Sequence, residues 1–566
     1  MFIGVSAFFH ESSIALINNE GELLDFQKEE WHSRVKGDKT FPRLSLKKII
    51  NDHELIEEDI RFVFYEKPLK SWLTIIQHSI KNKGLLNSLT LNYFKNFWKS
   101  SISFYFELLS NIKSKSVKTF YCEHHLSHSL TADYYGMKYP YISVVIDGFG
   151  DNKCSSVYLF KSSNDFETIW TSDYPNSLGL FYSAITDFLG YPINSGEYKV
   201  MGLSAFGEPN YVDQLNQMIR FHEGQLFLEM SYFDFDSSVT NSYSKELENI
   251  FGVKSNNSID TIEKSKNFQI YADIACSAQV VIYEIIKNIF KYSFNKTGVK
   301  EFSFTGGVAL NSKLIKNLAQ CDFIEKLFVP PSPGDSGAAI GAAYFGYLIH
   351  NEKNKNKNIN KNNMIYPGYF KQEPDFIDEA LEKYCGKNEI IAQTVNLLKK
   401  DEILATCISN IETGPRSLGN RSLICNADNY DLVKNLSNNL KGRESFIPTA
   451  PSMLLETAKK YYHINENIIK CYNTMGALAD LKTDYQDFKF KSIVHKDLTS
   501  RIHISSEDSF IGKVLKFENQ QIEIIANTSF NYKNDPISYG YEDSILALKK
   551  MNLKYLITDY GIYKVK

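Results

Sequence analysis

Cysteine is scarce in this chain and follows no pattern. Cys122, Cys154, Cys276, Cys321, Cys385, Cys407, Cys425 and Cys471 include no C-x-x-C pair and no regular spacing. That argues against a disulfide framework and against a cysteine zinc site, and it fits a reducing cytoplasm. No apolar run of about 18 residues occurs, so no membrane span and no membrane partner are expected. The opening MFIGVSAFFHESSIAL lacks a basic start, and His10 and Glu11 interrupt its apolar run, which argues against a signal peptide. An excess of one charge is missing too: a net charge of −3 describes neither a basic nucleic-acid binder nor a strongly acidic protein. The 35 Tyr and 39 Phe are abundant, but with so much Asn and Lys they read as compositional bias rather than as a stacking surface. At 566 residues the chain exceeds what one hydrophobic core serves, and at least two domains are expected.

What the sequence does concentrate is histidine. In TFYCEHHLSHSLTADYYGM, His124, His125 and His128 are three of the chain's 12 histidines. If this segment is helical, His124 and His128 share a face one turn apart and can address one metal ion. Imidazole suits Zn, Fe, Ni and Cu, and a two-histidine site needs carboxylates to complete it. Asp147 in VVIDGFGD and Asp335 in SPGDSGAAIG are the candidates. The plainer alternative is a buried polar helix start whose histidines satisfy backbone groups.

Along the chain, residues 2 to 27 pause and alternate as a hairpin, with His10, Ser12 and Ser13 in its polar turn. Such a turn can present backbone N–H groups to phosphate, as in nucleotide-binding domains of the actin, sugar-kinase and Hsp70 type. The basic segment 28 to 50 reads as a solvated loop and an amphipathic helix, and 66 to 118 as basic helices. YISVVIDGFGD reads as a buried strand with SSVYLF as its hairpin partner. Gly148 and Gly150 then fall where a second phosphate loop belongs, and Asp147 lies at the carboxyl end of a strand, where ligands of α/β sheets gather. SGEYKVMGLSAFG, residues 195 to 207, reads as a glycine-punctuated, ligand-contacting loop with Glu197 and Lys199. A long amphipathic helix is predicted over 267 to 293. EFSFTGGVALNSKL then gives a strand, a Gly306-Gly307 turn and a helix opening near Asn311, an arrangement that suits anions. In the next unit, PSPGDSGAAIGAA, small residues let a helix pack closely on a neighbour, with Asp335 at its N-terminus.

HHLSH, IDGFGD, GEYKVMGLSAFG, FTGGVALNSKL and PPSPGDSGAAIGAA together resemble the N-terminal domain of the O-carbamoyltransferases of antibiotic and nodulation-factor biosynthesis. That domain is similar to the proteins that transfer threonylcarbamoyl to tRNA and belongs to the actin and Hsp70 superfamily. The resemblance implies a duplicated, actin/Hsp70-like α/β domain. It implies a metal, Fe(II) or another divalent transition ion, on His124, His128, Asp147 and Asp335, with His10 as general base at an acceptor hydroxyl. EEWHSRVKGDKTFP is close to a family pattern of Glu-Glu-Arg, basic residues and Phe-Pro, with Trp31 in place of the Arg.

The character changes at 351 to 365, a polar, low-complexity stretch expected to be a linker between domains at 1 to 350 and 366 to 566. Beyond it, ETGPRSLGNRSLICN carries Arg416, Asn420 and Arg421. Lys441 and Arg443 follow in KGRESFIPTAPSML, His495 and Arg501 in VHKDLTSRIH, and Asn527, Ser529 and Asn531 in ANTSFNYKNDPI. Cationic groups drawn from separate turns suit a phosphate-rich ligand; as scattered surface charges they would have no shared role. The four segments resemble the smaller YrdC-like α/β domain of the same carbamoyltransferases, close to GPRALGNRS, KxREPFRPxAPS, HVDGTARVQ and LNTSFNxxGEPI. Ser417, Ser445, Ile447, Leu498 and Asn534 depart from those patterns, and an Arg before Glu-x-Gly-Pro-Arg is missing.

The resemblance implies that the second domain makes carbamoyl adenylate from carbamoyl phosphate and ATP with Mg²⁺, and that the first passes the carbamoyl group to a hydroxyl along a route closed to water. Imidazole titrates near neutrality, which suits His10 to its role. Sugars, natural products and hydroxymethylated nucleosides or DNA all offer such a hydroxyl. Two alternatives are a threonylcarbamoyl-type modifier of nucleic acid and a non-enzymatic actin-like ATP-binding regulator. A homodimer is compatible with the sequence.

Overall fold

The computed structural model describes residues 1–55, 60–83, 118–235, 242–256, 259–351, 365–367, 381–482, 484, 486–517 and 522–566. Of the basic 66 to 118 stretch only 66–83 and 118 are therefore described, and the linker expected at 351 to 365 lies, its two end residues apart, outside the described residues.

The chain forms two compact units, one from Met1–Glu22 and Lys39–Asn360, the other from Leu23–Asp38 and Lys361–Lys566. The expected division at 350 to 366 misses the early excursion. Its anchors lie within the second unit. Trp31 is buried and stacks on Tyr539 with ring centroids 5.6 Å apart. Arg34 donates to the carbonyls of Pro536 and Ile537 and pairs with Asp543 at 3.3 Å. A tryptophan and an arginine in a basic segment carry no periodic signal, so sequence alone reads the stretch as solvated.

The first unit is built on a repeated sheet. β1 (Phe2–Ser6), β2 (Ser13–Ile17), β4 (Arg61–Phe64) and β5 (Lys118–Tyr121) pair in the order β2-β1-β4-β5, while β3 (Leu23–Lys28), the third strand in the chain, opens the excursion assigned to the second unit. β6 (Tyr141–Gly150), β7 (Lys153–Ser162) and β8 (Asp165–Asp173) start the second. After a small hairpin of β9 (Ile219–His222) and β10 (Gln225–Leu228), β11 (Glu301–Thr305) and β12 (Lys326–Phe328) complete it in the order β8-β7-β6-β11-β12. In both sheets the first strand pairs antiparallel with the second and parallel with the fourth, and the fourth runs parallel to the fifth. Two halves with one topology are the duplicated α/β fold that the resemblance implies. The central strands read FIGVS and SIALI and are wholly buried, as strands covered on both faces must be.

After each fifth strand comes a helix: His124–Tyr134 in the first half, Asp335–His350 in the second. These two helices approach so closely that a Cβ at Gly341 would meet the Ser127 carbonyl at 1.8 Å. Thr131 bridges them, donating to the Gly337 carbonyl at 3.0 Å and accepting from the Gly341 N–H at 3.2 Å. On its other side the Asp335 helix meets β1, where a Cβ at Gly4 would lie 1.8 Å from the Ala339 carbonyl. The small residues of this helix thus serve the close packing their pattern predicts.

The long helix is Phe268–Thr297, with Ile274, Ala278, Ile282, Ile285 and Ile289 buried at helical spacing, and it ends on Gly298 at φ 69°. One expectation fails locally. Residues 195 to 207 are not a loop but a helix, Glu197–Leu203, followed by a tight turn at Ser204–Phe206. Val200 and Leu203 are buried at i and i+3, and that burial outweighs the glycine cost of Gly202.

The second unit is a mixed α/β layer. Its strands are β13 (Leu381–Gly386), β14 (Leu404–Cys407), β15 (Ser422–Asn426), β16 (Ala450–Met453), β17 (Tyr462–His463), β18 (Ala479–Leu481), β19 (Thr499–Ser500), β20 (His503–Ile504), β21 (Ile525–Ser529), β22 (Tyr555–Thr558) and β23 (Gly561–Val565). Eight form one sheet, β13-β23-β22-β14-β15-β21-β16-β20, and β17-β18-β19 form a second. Leu404, Ile424, Ile525 and Ile557 pack from one face of the large sheet against Leu398, Ile511 and Leu515 of the helices. All eight cysteines of the chain are free thiols. Among the described residues no helix is long and apolar enough to cross a membrane.

Candidate functional site

The histidine helix starts at His124 because its first N–H groups find an acceptor: Asp151 Oδ2 takes the His124 N–H at 2.9 Å. One turn separates His124 from His128, and their Nε2 atoms converge to 3.3 Å. Asp147 enters from β6, where the pairing with β7 is broken between Ile146 and Gly150, an irregularity that re-aims side chains. Asp335 enters as the first residue of its own helix. Asp147 Oδ2 lies 3.5 Å from His124 Nε2 and 3.1 Å from His128 Nε2; Asp335 Oδ1 lies 3.8 and 3.3 Å from the same atoms. All four side chains are buried.

This geometry fits a divalent metal ion. Ligand atoms about 2.1 Å from a shared tetrahedral ion stand roughly 3.4 Å apart, close to the spacings seen here. Asp147 Oδ2 is buried without a hydrogen bond, a costly condition unless a cation completes it. Two carboxylates and two neutral imidazoles carry the charge that a divalent ion balances. Without an ion, the balance falls on protons. Burial alone would lower His124 and His128, but the carboxylates around them outweigh it and hold both imidazoles above their ordinary range. Burial would likewise raise Asp147, yet the two histidines hold it well below the usual carboxylate range.

The surrounding glycines serve this cluster more than a phosphate. A Cβ at Gly150 would meet the His124 ring, one at Gly306 (φ 87°) the Ile146 carbonyl at 2.3 Å, and one at Gly307 the Asp147 Oδ1 at 3.1 Å. Only Gly148 of the four leaves room for a Cβ, which would sit in ordinary contact with Leu180 Cδ2 at 3.8 Å, and its N–H donates to Asp147 Oδ1 at 2.7 Å. His10 lies half-buried in the β1–β2 turn. Two residues before it, Phe8 holds φ 82°, a left-handed conformation costing about 1–2 kcal/mol in a bulky residue, and its N–H bonds the Lys39 carbonyl. Ser12 is buried in the same turn with no hydrogen-bond partner for its Oγ, whereas Ser13 Oγ donates to the Ser336 carbonyl at 2.7 Å.

Three first-unit candidates do local work. Asn311 caps the helix Ser312–Leu318, and its amide exchanges hydrogen bonds with Gln279 at 2.9 and 3.3 Å. Glu197 Oε1 accepts from Ser183 Oγ and the Asn194 N–H, and Lys199 lies over the Tyr191 ring. These contacts tie down the two helices, Ser312–Leu318 and Glu197–Leu203.

In the second unit the structure gathers part of the predicted set. Lys441 Nζ, buried, donates to Ser529 O and Oγ and to Asn531 O and Oδ1 at 2.6 to 3.2 Å. Arg443 donates to Thr528 Oγ1 at 2.7 Å. Asn527 bonds the Ser417 carbonyl and Ser452 Oγ, so β21 reaches the 412–421 turn through Asn527 and the 441–443 turn through Thr528 and Ser529. Burial, reinforced by Arg443 and Lys36, holds the Lys441 ammonium well below its ordinary range.

Arg421 corrects its prediction. It is fully buried, and its guanidinium donates to the carbonyls of Tyr539, Ile408, Asn420 and Ser409 at 2.8 to 3.1 Å. Those bonds consume the donors a phosphate would need, so Arg421 is a brace. Asn420 likewise spends its amide on the Asn410 carbonyl at 2.7 Å. Arg416 is half-buried on the same turn. His495 sits 3.5 Å from Asp497 in the turn before β19, and Arg501 is half-buried just after it.

Sequence reasoning missed Glu412, whose buried Oε1 accepts the N–H groups of Leu418, Asn420 and Arg421 and so shapes the whole turn. The Glu-x-Gly-Pro-Arg spacing was the available signal, since acid-before-glycine turns organise backbone amides. Asp151 and Glu66, beside the His124, His128, Asp147 and Asp335 cluster, were also missed, because lone acids carry no spacing signal.

Comparison with known proteins agrees with this layout. Residues 1–344 match the family described as Carbamoyltransferase N-terminus, and residues 395–564 match Carbamoyltransferase C-terminus. An uncharacterized protein of Synechocystis sp. is 26% identical, over 98% of this chain and 95% of its own length. The nodulation protein NolNO of Sinorhizobium fredii is 25% identical, over 99% of this chain and 79% of its own. Among solved structures, HypF of T. kodakarensis superposes with a TM-score of 0.32 at 16% identity, over 62% of this chain and 48% of that one. With both family segments matched in order across most of its length, the chain belongs to the carbamoyltransferase family.

Proposed function

We propose that the protein is an ATP-dependent O-carbamoyltransferase that works through carbamoyl adenylate. The observation that carries this is the pairing, in one carbamoyltransferase chain, of a buried two-histidine, two-aspartate cluster with a separate cationic turn cluster around Lys441 and Arg443. In the second unit, carbamoyl phosphate, ATP and one water give carbamoyl adenylate, pyrophosphate and phosphate. Arg416, Lys441 and Arg443 neutralise phosphate charge there, with Ser529 and Asn531 holding Lys441 and Asn527 holding the turn that carries Arg416, and Mg²⁺ accompanies ATP.

In the first unit, the acceptor's hydroxyl oxygen attacks the carbamoyl carbon, AMP leaves, and the hydroxyl proton passes to an imidazole nitrogen of His10. A divalent ion held by His124, His128, Asp147 and Asp335 supplies Lewis-acid polarisation and charge balance when bound. The acceptor belongs to the hydroxyl-bearing sugars, natural products or hydroxymethylated nucleosides. The free thiols suit a reducing compartment, and a cytoplasmic location is part of the proposal.

The test is acceptor-free. Purified protein with ATP and Mg²⁺ is expected to release pyrophosphate only when carbamoyl phosphate is added, in step with carbamoyl adenylate detected by mass spectrometry. Pyrophosphate release indifferent to carbamoyl phosphate would refute the adenylate route.

A further inference from the structure

The inner edges of the two histidines meet the aspartates, but their outer edges differ. His128 Nδ1 lies 3.0 Å from the Pro333 carbonyl oxygen, a neutral acceptor that fixes its tautomer. His124 Nδ1 is buried with no hydrogen bond, and it faces Glu66 Oε2 at 3.5 Å. Glu66 follows β4 and is only 1% exposed. Its Oε1 has no hydrogen-bond partner, and its Oε2 accepts from Ser71 Oγ at 3.2 Å. A buried carboxylate with spare accepting capacity and a buried ring nitrogen without an acceptor are each costly alone, and each relieves the other.

The placement of Glu66 is not loose. Asp151 receives the His124 N–H on Oδ2 and the Lys67 N–H on Oδ1, while its own N–H donates to Ser71 Oγ at 2.8 Å. Asp151 therefore ties the start of the histidine helix to the segment Lys67–Ser71 that follows Glu66, through its carboxylate and its backbone N–H. The ring and the carboxylate move as one assembly.

We infer that Glu66 is a positioning residue for the metal centre: it accepts the Nδ1–H of His124 and so keeps the lone pair of Nε2 aimed at the space shared with Asp147 and Asp335. With the opposite tautomer, Nε2 would push a hydrogen into that space. A charged acceptor also makes His124 the more basic of the two imidazole ligands, since His128 has only a carbonyl behind it. This rests on the reading of the four clustered side chains as metal ligands.

Co(II) is the probe, because its visible bands report ligand strength independently of catalysis. The full-length protein would be titrated with Co(II) against a chelator, alongside Glu66→Gln, Glu66→Met and His124→Ala, with thermal unfolding of each. Glu66→Met keeps the volume but accepts no hydrogen bond, and its Co(II) affinity is expected to fall about 10–100-fold. Glu66→Gln keeps an accepting oxygen without charge. It is expected to recover most of that loss, with Co(II) bands shifted from those of the native protein. If Glu66→Met does not fold, the band shift in Glu66→Gln decides. Native affinity and native bands in the Glu66 variants, with binding lost in His124→Ala, would overturn the inference and leave the metal centre standing. Absence of Co(II) binding by the native protein would overturn both.

Discussion

A Cβ placed on Gly150 would lie 2.1 Å from Cδ2 of His124. No side chain fits there while the ring stays where it is, so this glycine is a condition for the placement of His124 in the four-residue cluster. Gly150→Ala is expected to displace His124 and lower bound metal by about tenfold or more, the scale of losing support for one ligand. Gly148→Ala, which would meet only Leu180 Cδ2 at 3.8 Å, is expected to keep the metal. Metal analysis of the two purified variants distinguishes them.

Arg421 and Arg416 sit on one turn but are predicted to fail differently. Arg421→Ala strips four carbonyls of their donor inside the second unit, and roughly 3–5 kcal/mol of stability should go with it. Arg416→Ala is expected to leave thermal unfolding of that unit unchanged and to reduce carbamoyl-phosphate-dependent pyrophosphate release. Calorimetry on both variants, with the pyrophosphate assay on Arg416→Ala, checks the division.

His503 gives the second unit a dependence on pH. Burial pushes its imidazole down to about 4 from an ordinary 6.5, and Nδ1 faces Ser452 Oγ at 2.9 Å. Above pH 6.5 the ring is neutral in both folded and unfolded chains and adds no slope. As pH falls from 6.5 towards 4 the unfolded chain takes the proton first, so stability drops, by up to about 3 kcal/mol. His503→Gln, the residue at this place in the family pattern, should remove that part of the slope in urea melts at pH 7 and pH 5.

Leu498 stands where the family pattern has glycine, and the structure shows why glycine suits the position: φ is 59° and the side chain is 45% exposed. The left-handed conformation costs about 1–2 kcal/mol in a residue with a Cβ, and little packing is gained in return. Leu498→Gly is expected to raise the stability of the second unit by about 0.5–1 kcal/mol, the strain relief less the added freedom of the unfolded chain. A lower melting temperature would contradict this.

Much of this was legible before the structure. The i, i+4 histidines share a face as their spacing predicts, because helical periodicity fixes it, and the strand- and helix-terminal aspartates that the family resemblance implies beside them do converge on the pair. The small-residue helix at 335 packs as its composition requires. What the sequence hid are contacts without a period. Arg421 looks identical to Arg416 on paper, and only its burial among carbonyls marks it as a brace. Glu412, Glu66 and Asp151 act through backbone amides or one neighbouring ring, which no spacing announces. The segment Leu23–Asp38 belongs to the second unit through Trp31 and Arg34, whose partners lie some five hundred residues away. The helix at 197 was hidden by its glycines.

The central claim is a division of labour between two units, and one experiment addresses it directly: carbamoyl adenylate formed from ATP, carbamoyl phosphate and Mg²⁺, quantified by mass spectrometry in native protein, Arg443→Ala and the His124→Ala/His128→Ala double variant. The account predicts adenylate in the native protein, its loss in Arg443→Ala, and its survival in the double histidine variant. Adenylate that disappears with the histidines while persisting in Arg443→Ala would contradict it.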